Sequence, residues 1–349
     1  MSEFLPAEML AARLVAAAQP LAISTIPVPT PGPDEALVEV QAAGLCGTDI
    51  HLAIVGDLPV SRTPITLGHE ASGVVVRLGA DVTGVAVGDR VALFPAAWCG
   101  TCRFCLAGRH SLCDRSQVYG MTRDGALAQY VAAPARTLIP IPDGVDFDVA
   151  AIATDGVATP FHALRERGQL RAGETVGVFG CGGLGTHAIM LARLMGAARI
   201  VAVDLDSTAR ARALRRGADI ALDPTAADVA RELRRLGGLD LALEFIGRAD
   251  TVELAVRSLA KAGRAVVVGV GPGKPTLPAL AAFVGREQAV MGSFGMDMAD
   301  IVAVLELVAT SQLDLSSSIS ARYPLAQADT ALQHLVSRDG GVVRVIVEP

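Results

Sequence analysis

Lysine is almost missing from this 349-residue sequence, because 28 of its 30 basic residues are arginine and the other two are Lys261 and Lys274. Few side chains are therefore available for Schiff-base chemistry or for a lysine general base. The sequence has no basic block and a net charge of −6, so it does not predict a nucleic-acid partner. It also lacks a run of about 18 apolar residues without charge or glycine, which argues against a transmembrane helix.

The sequence has enough apolar residues to form large hydrophobic cores, because 51% of it is hydrophobic. Its length predicts two domains, since a domain usually has about 100–200 residues. The first ten residues lack a basic segment and include Glu3 and Glu8, so they do not predict a secretory signal. We therefore expect a soluble cytoplasmic protein with no membrane partner.

Four of the six cysteines lie within 15 residues. Such clustering in a reducing compartment is typical of metal binding, and four thiolates can surround zinc at about 2.3 Å. The alternatives are an iron–sulfur cluster and solvent-exposed or disulfide-linked thiols. Asp114 argues against the cluster, because it stands where the compact bacterial cluster motif has proline. We therefore predict a closed structural zinc site. Its predicted ligands are Cys99, Cys102, Cys105 and Cys113.

The chain changes its pattern near residue 160. Before it, segments such as 34–42 alternate apolar and polar residues between turns, which predicts a β-rich domain. After it, short apolar segments alternate with helical ones, which predicts βαβ units and a parallel sheet. The predicted strands are 174–180, 199–204, 239–245, 264–270 and 342–347. The predicted helices are 184–196, 208–216, 225–236, 251–260 (capped by Asp250), 298–310 and 325–338.

A glycine-rich loop directly follows the apolar strand 174–180 and opens a helix. In Gly180-Cys-Gly182-Gly183-Leu184-Gly185, the glycines permit a tight turn and the close approach of a pyrophosphate to the helix N-terminus. Asp204 ends the next strand, where a carboxylate binds a ribose 2′-hydroxyl and repels a 2′-phosphate. The loop therefore predicts a dinucleotide site that favours NAD over NADP, although Arg210 lies close enough to be a counter-signal.

A second group of metal-binding side chains is spread along the first half of the chain. Cys46 follows the first predicted strand, His69 and Glu70 precede another, and Asp155 lies where the pattern changes. Spacing alone does not show that these side chains meet. Each residue alone also has a purely structural interpretation. Cys46 could be a buried apolar residue, His69 a core residue and Asp155 a helix cap.

Taken together, the motifs resemble those of a zinc-containing alcohol dehydrogenase of the medium-chain dehydrogenase/reductase superfamily. The resemblance rests on Cys46-Gly-Thr-Asp, Gly68-His-Glu, the four-cysteine loop, the glycine-rich loop and Gly292-Ser293, in that order. It implies an α/β protein with a doubly wound parallel (Rossmann) cofactor domain inserted in a β-rich GroES-like catalytic domain. The implied boundaries are 1–156 with 296–349 for the catalytic domain and 157–295 for the cofactor domain.

The resemblance also implies roles for individual residues. Cys46, His69 and Asp155 would bind a catalytic zinc, with Glu70 as an acid that approaches it. Thr48 and His51 would form a proton relay through the cofactor ribose. Gly269 and Val270 would bind the nicotinamide carboxamide, and Arg344 the pyrophosphate. Two zinc ions and one NAD per chain are thus implied.

The implied reaction is the reversible NAD-dependent oxidation of an alcohol to a ketone or aldehyde, with a secondary alcohol favoured as the substrate. The alternatives are a polyol, amino-alcohol or threonine dehydrogenase and, in a different class, a non-catalytic NAD- and zinc-binding protein. A zinc-free quinone reductase does not fit, because Cys46, His69 and Asp155 are all present. The family often forms dimers or tetramers through sheet edges, so we expect a homodimer or homotetramer with 264–270 as the edge strand.

Overall fold

The computed structural model describes residues 5–225, 228–337 and 341–349. The chain forms two units, which are joined at 156–157 and at 296–297. The first unit comprises Met1–Gly156 and Asp297–Pro349, and the second comprises Val157–Met296. The second unit is therefore an insertion in the chain of the first.

The strands and helices are numbered in chain order. The strands are β1 (Glu8–Leu14), β2 (Ala22–Pro27), β3 (Glu35–Leu45), β4 (Ile65–Thr66), β5 (Glu70–Leu78), β6 (Arg90–Leu93), β7 (Ala96–Ala97), β8 (Gln117–Val118), β9 (Tyr130–Pro134), β10 (Leu138–Pro140), β11 (Thr175–Phe179), β12 (Arg199–Val203), β13 (Ile220–Leu222), β14 (Leu239–Glu244), β15 (Leu259–Val267), β16 (Ala289–Gly292), β17 (Ile319–Pro324) and β18 (Arg344–Glu348). The helices are α1 (Gly47–Ile50), α2 (Arg103–Leu106), α3 (Phe147–Ile152), α4 (Ala158–His162), α5 (Gly183–Leu194), α6 (Ser207–Arg215), α7 (Val229–Arg235), α8 (Ala249–Arg257), α9 (Leu280–Gly285), α10 (Met298–Ala309) and α11 (Ala328–Ser337).

The first unit is built on a mixed sheet with the strand order β10-β6-β5-β3-β18-β17, and β9 also pairs with β3. The C-terminal strand β18 pairs antiparallel with the end of β3, with Val345 opposite Leu45. A smaller sheet has the order β2-β1-β4. Apolar residues of the strands, such as Val38, Val75 and Leu93, form one core with α11. This packing fixes the end of β3, where the first metal-binding motif begins.

The second unit is a doubly wound parallel sheet. Its strand order is β13-β12-β11-β14-β15-β16, and each neighbouring pair is parallel. The order reverses between β11 and β14, and ligands of such sheets bind at the carboxyl ends of the strands beside this switch point. The predicted fold class, a Rossmann domain inserted in a β-rich domain, is confirmed.

Several predicted element boundaries need correction. Helix α8 begins at Ala249 with Arg248 as its N-cap, so Asp250 lies in the first turn and binds Arg248 instead of capping the helix. Strand β15 has β14 on one side and β16 on the other, so it is not the edge that we expected at 264–270. Of the predicted helix over 225–236, residues 226 and 227 lie outside the described residues, as does residue 338 of the helix over 325–338. Within the described residues, every helix is too short or too polar to traverse a lipid bilayer.

Candidate active site and zinc centres

Cys46 is fixed at the point where β3 ends and α1 begins. It is the N-cap residue of α1, and the Asp49 carboxylate accepts its backbone N–H at 2.9 Å. The Asp49 N–H in turn donates to the Cys46 carbonyl at 3.1 Å. The thiol is buried, so its direction is set by the sheet and by this cap.

His69 and Glu70 are positioned by a glycine turn that leads into β5. Gly68 has φ +93°, and a Cβ at this position would lie 2.8 Å from the Leu127 side chain. Glycine avoids both the strained backbone and the collision. Opposite Glu70 in the sheet lies Gly44, where a Cβ would overlap the Glu70 carboxylate. Both glycines therefore make room for the His69-Glu70 pair.

Asp155 meets the other two predicted ligands although it is 86 and 109 residues away from them. It lies in a π-helical turn over Ala153–Val157. Its Oδ2 atom is 3.3 Å from the Cys46 Sγ and 3.4 Å from the His69 Nε2. One ligand atom from each of Cys46, His69, Glu70 and Asp155 lies within 4.8 Å of the others.

This donor set fits a zinc ion. Ligand atoms at about 2.0–2.3 Å from a tetrahedral zinc are about 3.3–3.8 Å apart, as the Asp155 contacts to Cys46 and His69 are. A thiolate, an imidazole and a carboxylate are common zinc ligands, and three protein ligands are the number found in catalytic sites. The buried Glu70 Oε1 has no hydrogen-bond partner in the described part of the chain, which suits an acid beside a cation.

The electrostatics of the site also favour a bound cation. Burial and then the nearby Asp155 carboxylate raise the pKa of the Cys46 thiol. Burial lowers the pKa of His69, but hydrogen bonds to Asp155 and Cys46 outweigh it and raise the value well above the usual range. A divalent cation would reverse both effects, because it stabilises the thiolate and the neutral imidazole as ligands.

Glu70 forms an ion pair with Arg344 inside the first unit. Both side chains are buried, and the Arg344 Nη2 donates to the Glu70 Oε2. Burial raises the pKa of Glu70 to about 7 despite the opposing charge of Arg344. Gly156, directly after Asp155, leaves space for this guanidinium, since a Cβ there would lie 2.9 Å from it. The structure places Arg344 at Glu70, and its contact with a pyrophosphate stays a prediction.

The two residues of the predicted proton relay occupy different surroundings. The Thr48 Oγ1 is 3.9 Å from the Cys46 Sγ, so this hydroxyl lies beside the metal-binding group. His51 begins a π-helical turn over His51–Val55 and is half exposed. Its Nδ1 lies 2.9 Å from the Asp57 Oδ1, a partner that the sequence analysis missed.

The four clustered cysteines converge as a second metal site. All four thiols are free, and their sulfur atoms lie within 4.8 Å of one another. The Cys105 Sγ is 3.5 Å from that of Cys102 and 3.9 Å from that of Cys99, close to the value of about 3.8 Å for a tetrahedral zinc–thiolate site. Backbone N–H groups, Thr101 first, lower the pKa of Cys99 to about 5, whereas burial raises that of Cys105 to about 12. A cation bound by all four sulfur atoms would stabilise the Cys105 thiolate and so offset the desolvation that raises its pKa.

The glycine-rich loop joins β11 to α5 in the second unit. Gly180 has φ +88° and donates its N–H to the Val203 carbonyl at 2.9 Å. Gly182 is the N-cap of α5, Gly183 and Leu184 open the helix, and a Cβ on Gly185 would overlap the Gly180 carbonyl oxygen. The loop therefore presents the N-terminus of a twelve-residue helix at the end of the central strand.

Asp204 follows β12 and is held by backbone groups. Its Oδ2 accepts the Cys181 N–H at 2.6 Å, and its Oδ1 accepts the Asp206 N–H at 2.9 Å. Arg210 donates to the Asp204 and Leu205 carbonyls at 2.8 Å and forms a 3.0 Å ion pair with Asp223. The cation that could have favoured a 2′-phosphate is thus already bound to a carboxylate.

A buried carboxylate that sequence reasoning missed organises the turn beside Gly269 and Val270, whose contact with the nicotinamide stays a prediction. Glu244, at the end of β14, accepts the N–H groups of Ile246 and Gly247 and the Thr251 hydroxyl, and burial raises its pKa. Gly269 packs on this turn, where a Cβ would overlap the Gly247 nitrogen, and Val270 beside it is exposed. The sequence feature that could have indicated this role is a single glutamate at the end of an apolar strand.

Comparison with known proteins matches both units. Residues 32–143 match the alcohol dehydrogenase GroES-like domain, and residues 183–310 match the zinc-binding dehydrogenase domain. L-threonine 3-dehydrogenase of Streptomyces coelicolor is 35% identical over 92% of this chain and 94% of its own length. Alcohol dehydrogenase of Geobacillus stearothermophilus is 35% identical over 74% of this chain and 77% of its own.

A solved structure agrees with these matches. A zinc-binding dehydrogenase of Sinorhizobium meliloti 1021 bound to NADP superposes with a TM-score of 0.90 at 34% identity, covering 99% of this chain and all of that one. The fold and the site thus define a zinc-dependent oxidoreductase. The chain belongs to the zinc-containing alcohol dehydrogenases of the medium-chain dehydrogenase/reductase superfamily. The predictions of an enzyme, of zinc and of a nicotinamide cofactor are confirmed, and the non-catalytic alternative is not supported.

Proposed function

We propose that this enzyme oxidises a small, uncharged secondary alcohol to a ketone, reversibly and with NAD. The observation that carries the proposal is the convergence of the Cys46 thiol, the His69 imidazole and the Asp155 carboxylate on one point. Three ligands of this kind leave a coordination position for substrate, whereas the four-cysteine site is filled by its own sulfurs.

The chain's own groups bind and deprotonate the alcohol. Zinc, when held by Cys46, His69 and Asp155, supplies the Lewis acid that acidifies the substrate hydroxyl, and nicotinamide supplies the hydride acceptor. Thr48, whose hydroxyl lies beside the Cys46 thiol, orients the substrate hydroxyl and accepts its hydrogen bond in this proposal. His51 passes the proton to water, a role that its half-exposed ring supports.

An uncharged substrate is favoured by the residues that follow His51. Leu52 and Ala53 are buried, and Leu58 packs against the same core. Arg62, the basic residue of this segment, is bound by Asp124 at 2.6 Å. Its charge is therefore not free to bind an anionic substrate.

NAD is favoured over NADP by the second unit. The Asp204 carboxylate stands at the position that binds a ribose 2′-hydroxyl, and a 2′-phosphate there meets a like charge. Arg210 does not compensate, because it is paired with Asp223. The NADP-bound relative shows that this superfamily includes members that bind the phosphorylated cofactor, so the preference needs measurement.

L-Threonine oxidation is the second candidate, because a threonine dehydrogenase is 35% identical over most of this chain. Threonine carries an ammonium and a carboxylate, and each requires a counter-charge when it is desolvated. The engagement of Arg62 by Asp124 makes it the weaker candidate.

A kinetic panel tests the proposal. Short secondary alcohols, matched primary alcohols, polyols and L-threonine are compared with NAD⁺ and with NADP⁺ by absorbance of the reduced cofactor. We expect the highest kcat/KM for a secondary alcohol with NAD⁺. A preference for threonine, or turnover with NADP⁺ only, would contradict the proposal.

We also propose that the chain forms a homodimer or homotetramer in a reducing, cytoplasmic compartment. Among the described strands, β16 lies at one end of the sheet of the second unit and is paired on one side, with β15. Exposed apolar side chains between residues 270 and 294 support the pairing of this sheet edge with a second copy of the chain. They are Val270, Leu277, Leu280, Val284 and Phe294. The free thiols of all six cysteines support the compartment.

A further inference from the structure

A short turn in the first unit folds an aspartate back onto the histidine of the proposed relay. The π-helical turn over His51–Val55 ends at Gly56, which has φ +73° and donates its N–H to the His51 carbonyl at 2.8 Å. This left-handed residue reverses the chain, and a residue other than glycine would be strained there. Asp57 follows, with its Oδ1 2.9 Å from the His51 Nδ1.

A carboxylate at Nδ1 determines which imidazole nitrogen carries the proton. The carboxylate only accepts hydrogen bonds, so the contact requires a proton on the His51 Nδ1. The Nε2 of the neutral ring then has a lone pair and can accept the proton released by the substrate. The negative charge also stabilises the imidazolium that forms when the ring accepts this proton.

The titratable groups on the elements packed against this turn have partners of their own. Asp49 on α1 accepts the N-cap N–H of its helix. On α11, which contacts α1, Asp329 accepts the Leu21 N–H and His334 bonds a tyrosine hydroxyl. Among the described residues, Asp57 is the ion-pair partner of His51.

We propose that Asp57 is a positioning residue of the proton relay: it holds His51 in the Nδ1-protonated form and stabilises its protonated state. This inference rests on the proposed alcohol oxidation, in which His51 accepts the substrate proton. It assigns the Gly56–Asp57 turn a role in catalysis that Asp57 exerts through His51.

The kinetic test uses the zinc-loaded full-length enzyme and the pH dependence of kcat/KM for alcohol oxidation. Asp57→Asn keeps an oxygen that can accept from Nδ1 but removes the charge. Because the amide carries no charge to stabilise the protonated ring, we expect the acidic limb of the profile to move to lower pH. Asp57→Glu should restore the wild-type limb, and Asp143→Asn, an exposed acid in another turn, should leave it unchanged.

A second readout does not depend on turnover. In protein labelled with ¹⁵N-histidine, long-range NMR couplings report which ring nitrogen is protonated. We expect His51, assigned by its loss in His51→Gln, to carry its proton on Nδ1 in the wild type. In Asp57→Ala, the form protonated on Nε2 should gain population.

The outcomes separate this inference from the proposed function. If the enzyme oxidises alcohols but Asp57→Asn, Asp57→Ala and Asp143→Asn all keep the wild-type profile and tautomer, Asp57 has no positioning role. If the enzyme oxidises no alcohol, the proposed function fails, and the NMR result alone decides whether Asp57 holds the ring. In a His51→Gln background, the Asp57→Asn shift should vanish; a shift that persists would overturn the inference.

Discussion

At the scale of single residues, the site is governed by buried charges that neutralise one another. Cys46 and Asp155 would supply negative charge for the proposed divalent cation, and Glu70 is balanced by Arg344. Removing one member of such a set leaves an uncompensated buried charge, which is strongly destabilising. The sequence showed which residue types could bind a metal, but it did not show the ion pair between Glu70 and Arg344. Its signal was a lone arginine in the apolar strand β18, whose partner is 274 residues away.

Cofactor preference is predicted to depend on one carboxylate. Asp204→Ala removes the group that repels a 2′-phosphate, so we expect the NAD⁺ to NADP⁺ ratio of kcat/KM to fall by about tenfold or more, equivalent to about 1.4 kcal/mol. Asp206→Ala is the matched control, because Asp206 caps α6 by accepting the Thr208 N–H and is expected to affect stability only. An unchanged ratio in Asp204→Ala would show that this carboxylate does not select the cofactor.

At the scale of elements, the strand–loop–helix unit of the proposed cofactor site was predicted well because its signal is local. The apolar strand, the glycines and the helix follow one another directly, and β11 and α5 lie where the pattern indicates. The edge of the sheet was predicted wrongly, because apolar pattern does not indicate which strand lies outermost. Strand β16 has only four residues and carries little pattern of its own.

Two glycines of the loop are predicted to respond differently to alanine. Gly185→Ala forces a methyl group onto the Gly180 carbonyl where α5 packs on β11, so we expect the free energy of unfolding to fall by about 1–3 kcal/mol. Gly182→Ala has no atom within 4 Å of the added Cβ, so stability should be nearly unchanged while NADH binding weakens. Chemical denaturation and NADH fluorescence titration measure the two effects, and equal loss of stability in both variants would refute this distinction.

At the scale of the whole molecule, the chain builds the first unit, inserts the second, and returns at Asp297 to complete the first. The final strand β18 lies beside β3 and supplies Arg344, so the ion pair of Glu70 in the candidate metal site joins distant segments of the chain. The sequence pattern indicated two domains and a returning strand. It could not show that Cys46, His69 and Asp155 meet, because convergence across more than 80 residues depends on tertiary packing.

Oligomer formation is predicted to depend on the apolar stretch beside β16. Leu280→Glu places a charge on a side chain that is 74% exposed in the single chain and buried in the proposed oligomer. We expect light scattering coupled to size exclusion to show a smaller assembly at a given concentration. Val87→Glu, which charges an exposed turn of the first unit, is the control and should leave the mass unchanged. An identical mass for Leu280→Glu and the wild type would place the interface elsewhere.

Counting zinc in the wild type and in Asp155→Ala tests the central claim most directly. We expect two zinc ions per chain in the wild type and one in the variant, retained by the four-cysteine site, with alcohol oxidation abolished and NADH binding preserved. Two zinc ions in the variant, together with undiminished turnover, would contradict the assignment of Asp155 as a ligand of the catalytic metal.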